Sequence, residues 1–185
     1  MDAAAFADII RQNRANRALL ERLPAIGLGD AWLAAGCLFQ TVWNHQMGRP
    51  PDEQISDYDL FYHDPTDVSW DAEDRVIRRV ADACADLGVT IEVKNQARVH
   101  LWYRDRFGTD YPALRSSEDG IGRFLVRGTC VGVRAGCGRV FAPFGLDDIA
   151  LGVLRPNPDV ALTARFAEKC RSYQRRWPHL RIEPG

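Results

Sequence analysis

Gln54-Ile55-Ser56-Asp57-Tyr58-Asp59-Leu60-Phe61-Tyr62 sets two carboxylates one residue apart among apolar and aromatic neighbours. Side chains alternate across an extended strand, so Asp57 and Asp59 project from one face while Tyr58, Leu60 and Tyr62 face the other. A carboxylate pair on an otherwise buried strand has the geometry of a cation clamp. Mg²⁺ or Mn²⁺ takes few protein carboxylates and keeps positions open for water and phosphate oxygens. Upstream, Trp32-Leu33-Ala34-Ala35 is a short apolar run stopped by Gly36, and Leu38, Phe39, Val42, Trp43 and Met47 recur at helical spacing up to Gly48. The run reads as strand, tight glycine turn, helix. Such a turn aims backbone N–H groups and a helix N-terminus at whatever lies above it, which favours phosphate. A glycine needed only for close packing is the plainer alternative.

Composition bounds the rest. The 185 residues are 46% hydrophobic and 26% charged, enough for one domain, 1–185, with a substantial core. With 24 basic and 25 acidic residues the formal net charge is -1, which provides no field for collecting polyanions or a membrane surface. A small anionic substrate stays open, because a local basic cluster does not require a basic protein. The five cysteines, Cys37, Cys84, Cys130, Cys137 and Cys170, are odd in number and form no Cys-x-x-Cys pair, so they read as reduced thiols of a cytoplasmic protein. Met1-Asp2-Ala3 opens no basic and apolar leader, and no stretch approaches the length of a membrane span.

The apolar spacing predicts an N-terminal helix over 3–23, ended by Pro24 and Gly27, a core over 30–150, and a C-terminal helical segment over 160–178. Arg11, Arg14, Arg17 and Arg22 read as a solvated helix face. Loop 49–54, with Pro50 and Pro51, leads into the Asp57 strand. A helix is expected from about Ser69 to Leu87 and a strand over 89–93, with Glu92 on the face opposite Ile91 and Val93 as a candidate third carboxylate or a solvent-side charge. Residues 94–107 lean to a helix ended by Gly108, with a strand as the alternative. Arg98 and His100 there are candidates for substrate contact, although a histidine beside a tryptophan is more often a packing residue. Ala135-Gly136-Cys137-Gly138 is the tip of a hairpin. Asp147 and Asp148 fall in the first turn of a short helix, where a structural role is expected. The order of elements indicates an α+β domain with a mixed sheet.

Two features then join. Gly36-Cys37, a helix, and Asp57-x-Asp59 on a strand resemble the signature of the polymerase-beta-like nucleotidyltransferase superfamily. Leu33-Ala34-Ala35-Gly36-Cys37, Trp43, Ser56-Asp57-Tyr58-Asp59, the run from Val93 to Trp102, Ala142-Pro143-Phe144-Gly145-Leu146-Asp147-Asp148 and Arg155-Pro156-Asn157-Pro158 together resemble one bacterial nucleotidyltransferase-like family of about this length. That family is defined by sequence rather than by a reaction, and the resemblance spans roughly residues 30 to 178.

The resemblance implies a short mixed sheet flanked by helices, a metal pair on Asp57 and Asp59, and a nucleoside triphosphate held near Gly36. Cys37 stands where much of the superfamily has Ser or Gly, leaving backbone N–H groups to hold phosphate. The expected reaction is metal-assisted transfer of a nucleoside monophosphate, with Glu92 completing the site and Arg49, Lys94 or Arg98 neutralising the pyrophosphate. The connection between Cys37 and Asp57 is long, so loop 49–54 is expected to project and cover the site. The acceptor is expected to be a small molecule or a protein residue, bound between that loop and residues 94–100, rather than a nucleic-acid end. The alternative is a nucleotide-binding or regulatory module that keeps the fold without turnover.

Overall fold

The computed structural model describes residues 1–183. The chain opens on two helices, α1 (Ala3–Ile10) and α2 (Arg14–Ile26), where the spacing predicts one. Asn13 makes the break. Its side-chain oxygen accepts from the backbone N–H groups of Ala15 and Asn16, an N-cap that starts a second helix. Pro24 lies within the last turn of α2 instead of ending it, and the stop is Gly27 in the left-handed conformation, φ 74°.

The central elements follow as β1 (Trp32–Ala34), α3 (Gly36–Gln46), β2 (Tyr58–Tyr62), α4 (Trp70–Ala83), β3 (Ile91–Asn95) and α5 (Val99–Phe107). Ser69 caps α4 by accepting from Ala72 N–H, and Gly108 ends α5 as its sequence indicates. β3 begins and ends two residues later than the alternation predicts, because its pairing with β2 runs on through Lys94 and Asn95 opposite Phe61 and Tyr62. Then come α6 (Ser117–Ile121), the hairpin β4 (Gly132–Arg134) and β5 (Val140–Phe141), α7 (Asp147–Leu151), β6 (Val153–Leu154), α8 (Ala164–Arg176) and β7 (Arg181–Ile182). No helix among the described residues is long and apolar enough to cross a membrane.

The main sheet has the order β3-β2-β1-β4-β5, with β2 and β3 parallel and the other neighbours antiparallel. This is the mixed sheet of an α+β fold. Alternation gives its two faces different fates. Leu33, Leu60 and Val93 join Phe6, Leu19, Leu38, Val42 and Val80 in the main core under the helices. Trp32, Ala34 and Phe61 face the other way, into a small cluster with Ile121 and Phe124. Asp59 shares that second, thinly covered face with Phe61, and the site opens there. At the edge of the fold Asp148 in α7, 3% exposed, takes hydrogen bonds from Arg127 and Arg155, the structural role expected of it.

Candidate active site

The turn from β1 into α3 carries its strain at Ala35, whose φ of 59° and ψ of −129° belong to a region L-residues seldom adopt. At Gly36 the neighbours are side chains: a Cβ there would stand 2.8 Å from Gln40 Nε2, the far end of a side chain that can move aside, and 3.9 Å from Asp57 Oδ1. A side chain at this residue would therefore crowd the approach to the first turn of α3, which has no side-chain cap and lines one cavity with Asp57 and Asp59.

Asp57, at the entry to β2, and Asp59, within it, line a cavity of about 680 Å³ together with Gly36, Gln40, Glu92 and Lys94. The β2–β3 register sets Glu92 beside Asp59. Lys94 Nζ lies 2.5 Å from Glu92 Oε2 and 3.8 Å from Asp59 Oδ1. Burial pushes the Asp59 carboxyl up to about 6; Lys94 opposes this, and the charges of Asp57 and Glu92 add to it. Glu92 is held below the usual carboxylate range, chiefly by its hydrogen bond from Lys94. Among the described residues no three His, Cys, Asp or Glu side chains gather as a metal-binding group.

Four residues singled out from the sequence stand elsewhere. Cys37 is fully buried behind the turn, with its Sγ 3.5 Å from the Ala34 carbonyl, and burial pushes its thiol well up. Arg49 donates to the Arg176 carbonyl at 2.8 Å, and loop 49–54 does not project over the site. Asn44 Nδ2 holds the loop through the carbonyls of Pro51 and Glu53, and Arg176 holds Gln54. Arg98 pairs with Glu73, which is 5% exposed, and lies over the Trp70 ring, away from the cavity. His100 lies outside the cavity wall with a buried, unpartnered Nδ1. The run around Arg98 thus serves the frame. Asn95 Oδ1 accepts from Asp64 and Ala97 N–H, its Nδ2 donates to the Asp64 carbonyl, and Glu73 accepts from Asn95 N–H.

The cavity adds residues that sequence reasoning missed. Gln40 follows Gly36 by one helical turn, a spacing that places both on one face, and its Oε1 is buried without a partner. Lys169 of α8 lines the same cavity as the carboxylates from far along the chain; burial lowers its pKa while the charges of Asp57 and Asp59 raise it. Arg106 and Arg165 line the same cavity with Trp102, Tyr103 and Phe107. No linear spacing announces these cations, which on their own helices look like solvated faces.

A family model described as nucleotidyltransferase matches residues 21–182. The chain belongs to that nucleotidyltransferase family. No curated protein matches the sequence. Among solved structures, an NMR structure described as revealing a CCA-adding enzyme head domain is similar over 97% of this chain and 95% of its own, at 23% identity and TM-score 0.75. The Thermotoga maritima CCA-adding enzyme complexed with tRNA is similar over 99% of this chain but 42% of its own, at 13% identity and TM-score 0.56. At these identities the two structures establish the shared nucleotidyltransferase fold.

Proposed function

We propose that the protein is a metal-dependent nucleotidyltransferase that moves a nucleoside monophosphate from a nucleoside triphosphate to a small-molecule or protein acceptor, using Mg²⁺ or Mn²⁺. The observation that carries this reading is the convergence of Asp57 and Asp59 with the uncapped start of α3 on one cavity wall. The donor set fits a hard cation: it is all carboxylate oxygen, and Asp59 is pushed up to about 6 by burial with like charges adding, a penalty that a divalent cation relieves. When bound, the metal supplies neutralisation of phosphate oxygens and lowers the pKa of the attacking hydroxyl.

The chain's own residues supply positioning. Asp57 and Asp59, at the start of β2, would hold the cation. The backbone N–H groups at Gly36 receive phosphate, and Lys169 neutralises the departing pyrophosphate, the role the sequence suggested for Arg49, Lys94 or Arg98. Glu92, beside Asp59, takes the acceptor proton once Lys94 turns to phosphate. The new acceptor O–P bond forms as the bond from the alpha phosphorus to the pyrophosphate oxygen breaks.

The test is transfer of label from alpha-labelled nucleoside triphosphates, with Mg²⁺ or Mn²⁺, to small metabolites, cell-extract protein and total RNA. Metal-dependent labelling of a small molecule or protein that is lost in Asp57→Asn supports the reading. Labelling of RNA ends confirms the chemistry and overturns the acceptor; the tRNA bound to the Thermotoga enzyme makes this arm necessary. A second reading, a nucleotide-binding module without turnover, is favoured by Lys94, which engages both Glu92 and Asp59 where a second cation would have to sit. Nucleotide binding with no pyrophosphate released from the nucleotide in the presence of any acceptor would establish it.

A further inference from the structure

α3 buries every residue from Gly36 to Asn44, and one of them is ill suited to burial. Gln40 is 7% exposed, its Oε1 is buried without a partner, and its Nε2 donates to no described residue. By contrast the buried amides of Asn13, Asn16 and Asn44 all donate through Nδ2 to protein oxygens. An unpaired buried amide is a cost to the fold that an apolar side chain of the same shape would avoid. Gln40 nevertheless lines the cavity with Gly36, one helical turn back.

The orientation of the amide says what it can hold. The point where a Cβ on Gly36 would stand is 2.8 Å from Gln40 Nε2 and 3.9 Å from Asp57 Oδ1, so the donor end is turned toward the start of α3 and the carboxylate. Turning the amide over would aim an acceptor at Asp57 and leave an N–H buried in place of the carbonyl. With its oxygen sealed, the amide offers the cavity donors alone. The N–H groups at the uncapped first turn of α3 favour the same ligand, phosphate oxygen. A lysine or arginine here would pair with Asp57 and Asp59 and take the place of a cation, as Lys94 engages Asp59 and Glu92 from β3. An amide supplies a donor without that charge.

We propose that Gln40 is a phosphate-binding residue of the nucleotide site: its Nε2 donates to an oxygen of the triphosphate seated on the first turn of α3, and the fold carries the unpaired amide for the sake of that contact. The inference rests on the nucleotidyltransferase reading for the identity of the ligand.

The probe is inorganic triphosphate with Mg²⁺, titrated calorimetrically into the full chain as wild type, Gln40→Met and Gln40→Glu, with thermal melting of the ligand-free proteins read alongside. Gln40→Met keeps the approximate shape and removes the donor. It is expected to weaken binding about tenfold and to raise the melting temperature of the free protein by about 2–4 °C. Gln40→Glu puts an anion where the donor stood and should weaken binding further. A residue that only packs would give the opposite pair, a lower melting temperature with affinity unchanged. Equal affinity in Gln40→Met, binding by Gln40→Glu as tight as the wild type, or a lower melting temperature in Gln40→Met would overturn the proposal. Transfer of label from alpha-labelled nucleotide, followed on the same preparations, separates the contact from the reading beneath it. Affinity that depends on Gln40 with no transfer to any acceptor removes the transferase and leaves the contact standing; transfer with triphosphate affinity independent of Gln40 removes the contact alone.

Discussion

Lys94 Nζ stands 2.5 Å from Glu92 Oε2, two residues back along the same strand, and the pair sits beside Asp59. Residues i and i+2 of a strand share a face, so this contact places a positive charge within the acidic end of the cavity and engages one of its carboxylates.

Removing that charge should free the site for a cation. Lys94→Met is expected to tighten Mn²⁺ binding to the free protein about threefold to tenfold, the scale of one partly screened charge at this distance. Calorimetric titration with Mn²⁺ measures it. Unchanged or weaker binding would show that Lys94 does not compete with the metal.

The raised carboxyl of Asp59 makes stability depend on pH. Its folded value, about 6, lies above the ordinary 3.8, so folding favours the neutral form. Stability from this group is full below about pH 4 and is lost as pH rises through 6. In urea unfolding of the metal-free protein, Asp59→Asn should gain about 1–2 kcal/mol on the wild type between pH 4.5 and 7.5. A constant difference across that range would contradict the assignment.

Behind the carboxylate strand, Asn16 is fully buried, and its Nδ2 donates to the Cys37 carbonyl at 2.9 Å and to the Ile10 carbonyl at 3.2 Å. Thr41 donates to the same Cys37 oxygen at 2.7 Å, and Asn13 meets both Thr41 and the Tyr58 hydroxyl. The network ties the two N-terminal helices to the start of α3 and to β2. Asn16→Ala should cost about 1–2 kcal/mol, because it removes one of the donors to the Ile10 and Cys37 carbonyls, which keep those from Asn13 N–H and Thr41, and opens a gap. A loss under about 0.5 kcal/mol in chemical denaturation would deny the network this role.

At the glycine turn the neighbours should respond in opposite ways. Ala35→Gly removes the penalty at φ 59° and is expected to stabilise by about 0.5–1 kcal/mol after the entropy cost of glycine. Gly36→Ala pushes against the Gln40 amide and crowds the phosphate approach, so nucleotide binding should fall about tenfold or more with a smaller change in stability. Cys37→Ser tests the remaining position. A hydroxyl replacing a fully buried thiol is expected to cost about 1–2 kcal/mol of stability and to leave nucleotide affinity unchanged. Loss of affinity in that variant alone would place the side chain at the site.

What was legible in the sequence was local. Asp57 and Asp59 share a strand, Gly36 follows an apolar run, and a period of two or of 3.6 is enough to place them. Partners chosen by tertiary packing were not legible. Arg98 looked free for substrate until α4 presented Glu73, and Arg49 until the end of α8 offered its carbonyl. The N-terminal helix broke where Asn13 capped a new one, a turn whose signal is weak inside an otherwise helical pattern. Lys169, Arg106 and Arg165 come to the cavity because α8 and α5 fold over the thin face of the sheet, and their helices show no trace of this in linear order.

The most direct test is the melting temperature of the wild type and of the Asp57→Asn, Asp59→Asn double variant, with and without Mg²⁺ and a nucleoside triphosphate. At a nucleotide concentration about one hundred times Kd the wild type should gain about 5–10 °C, and the double variant should gain nothing. An equal gain in both proteins would contradict the assignment of the metal–nucleotide site to these two carboxylates.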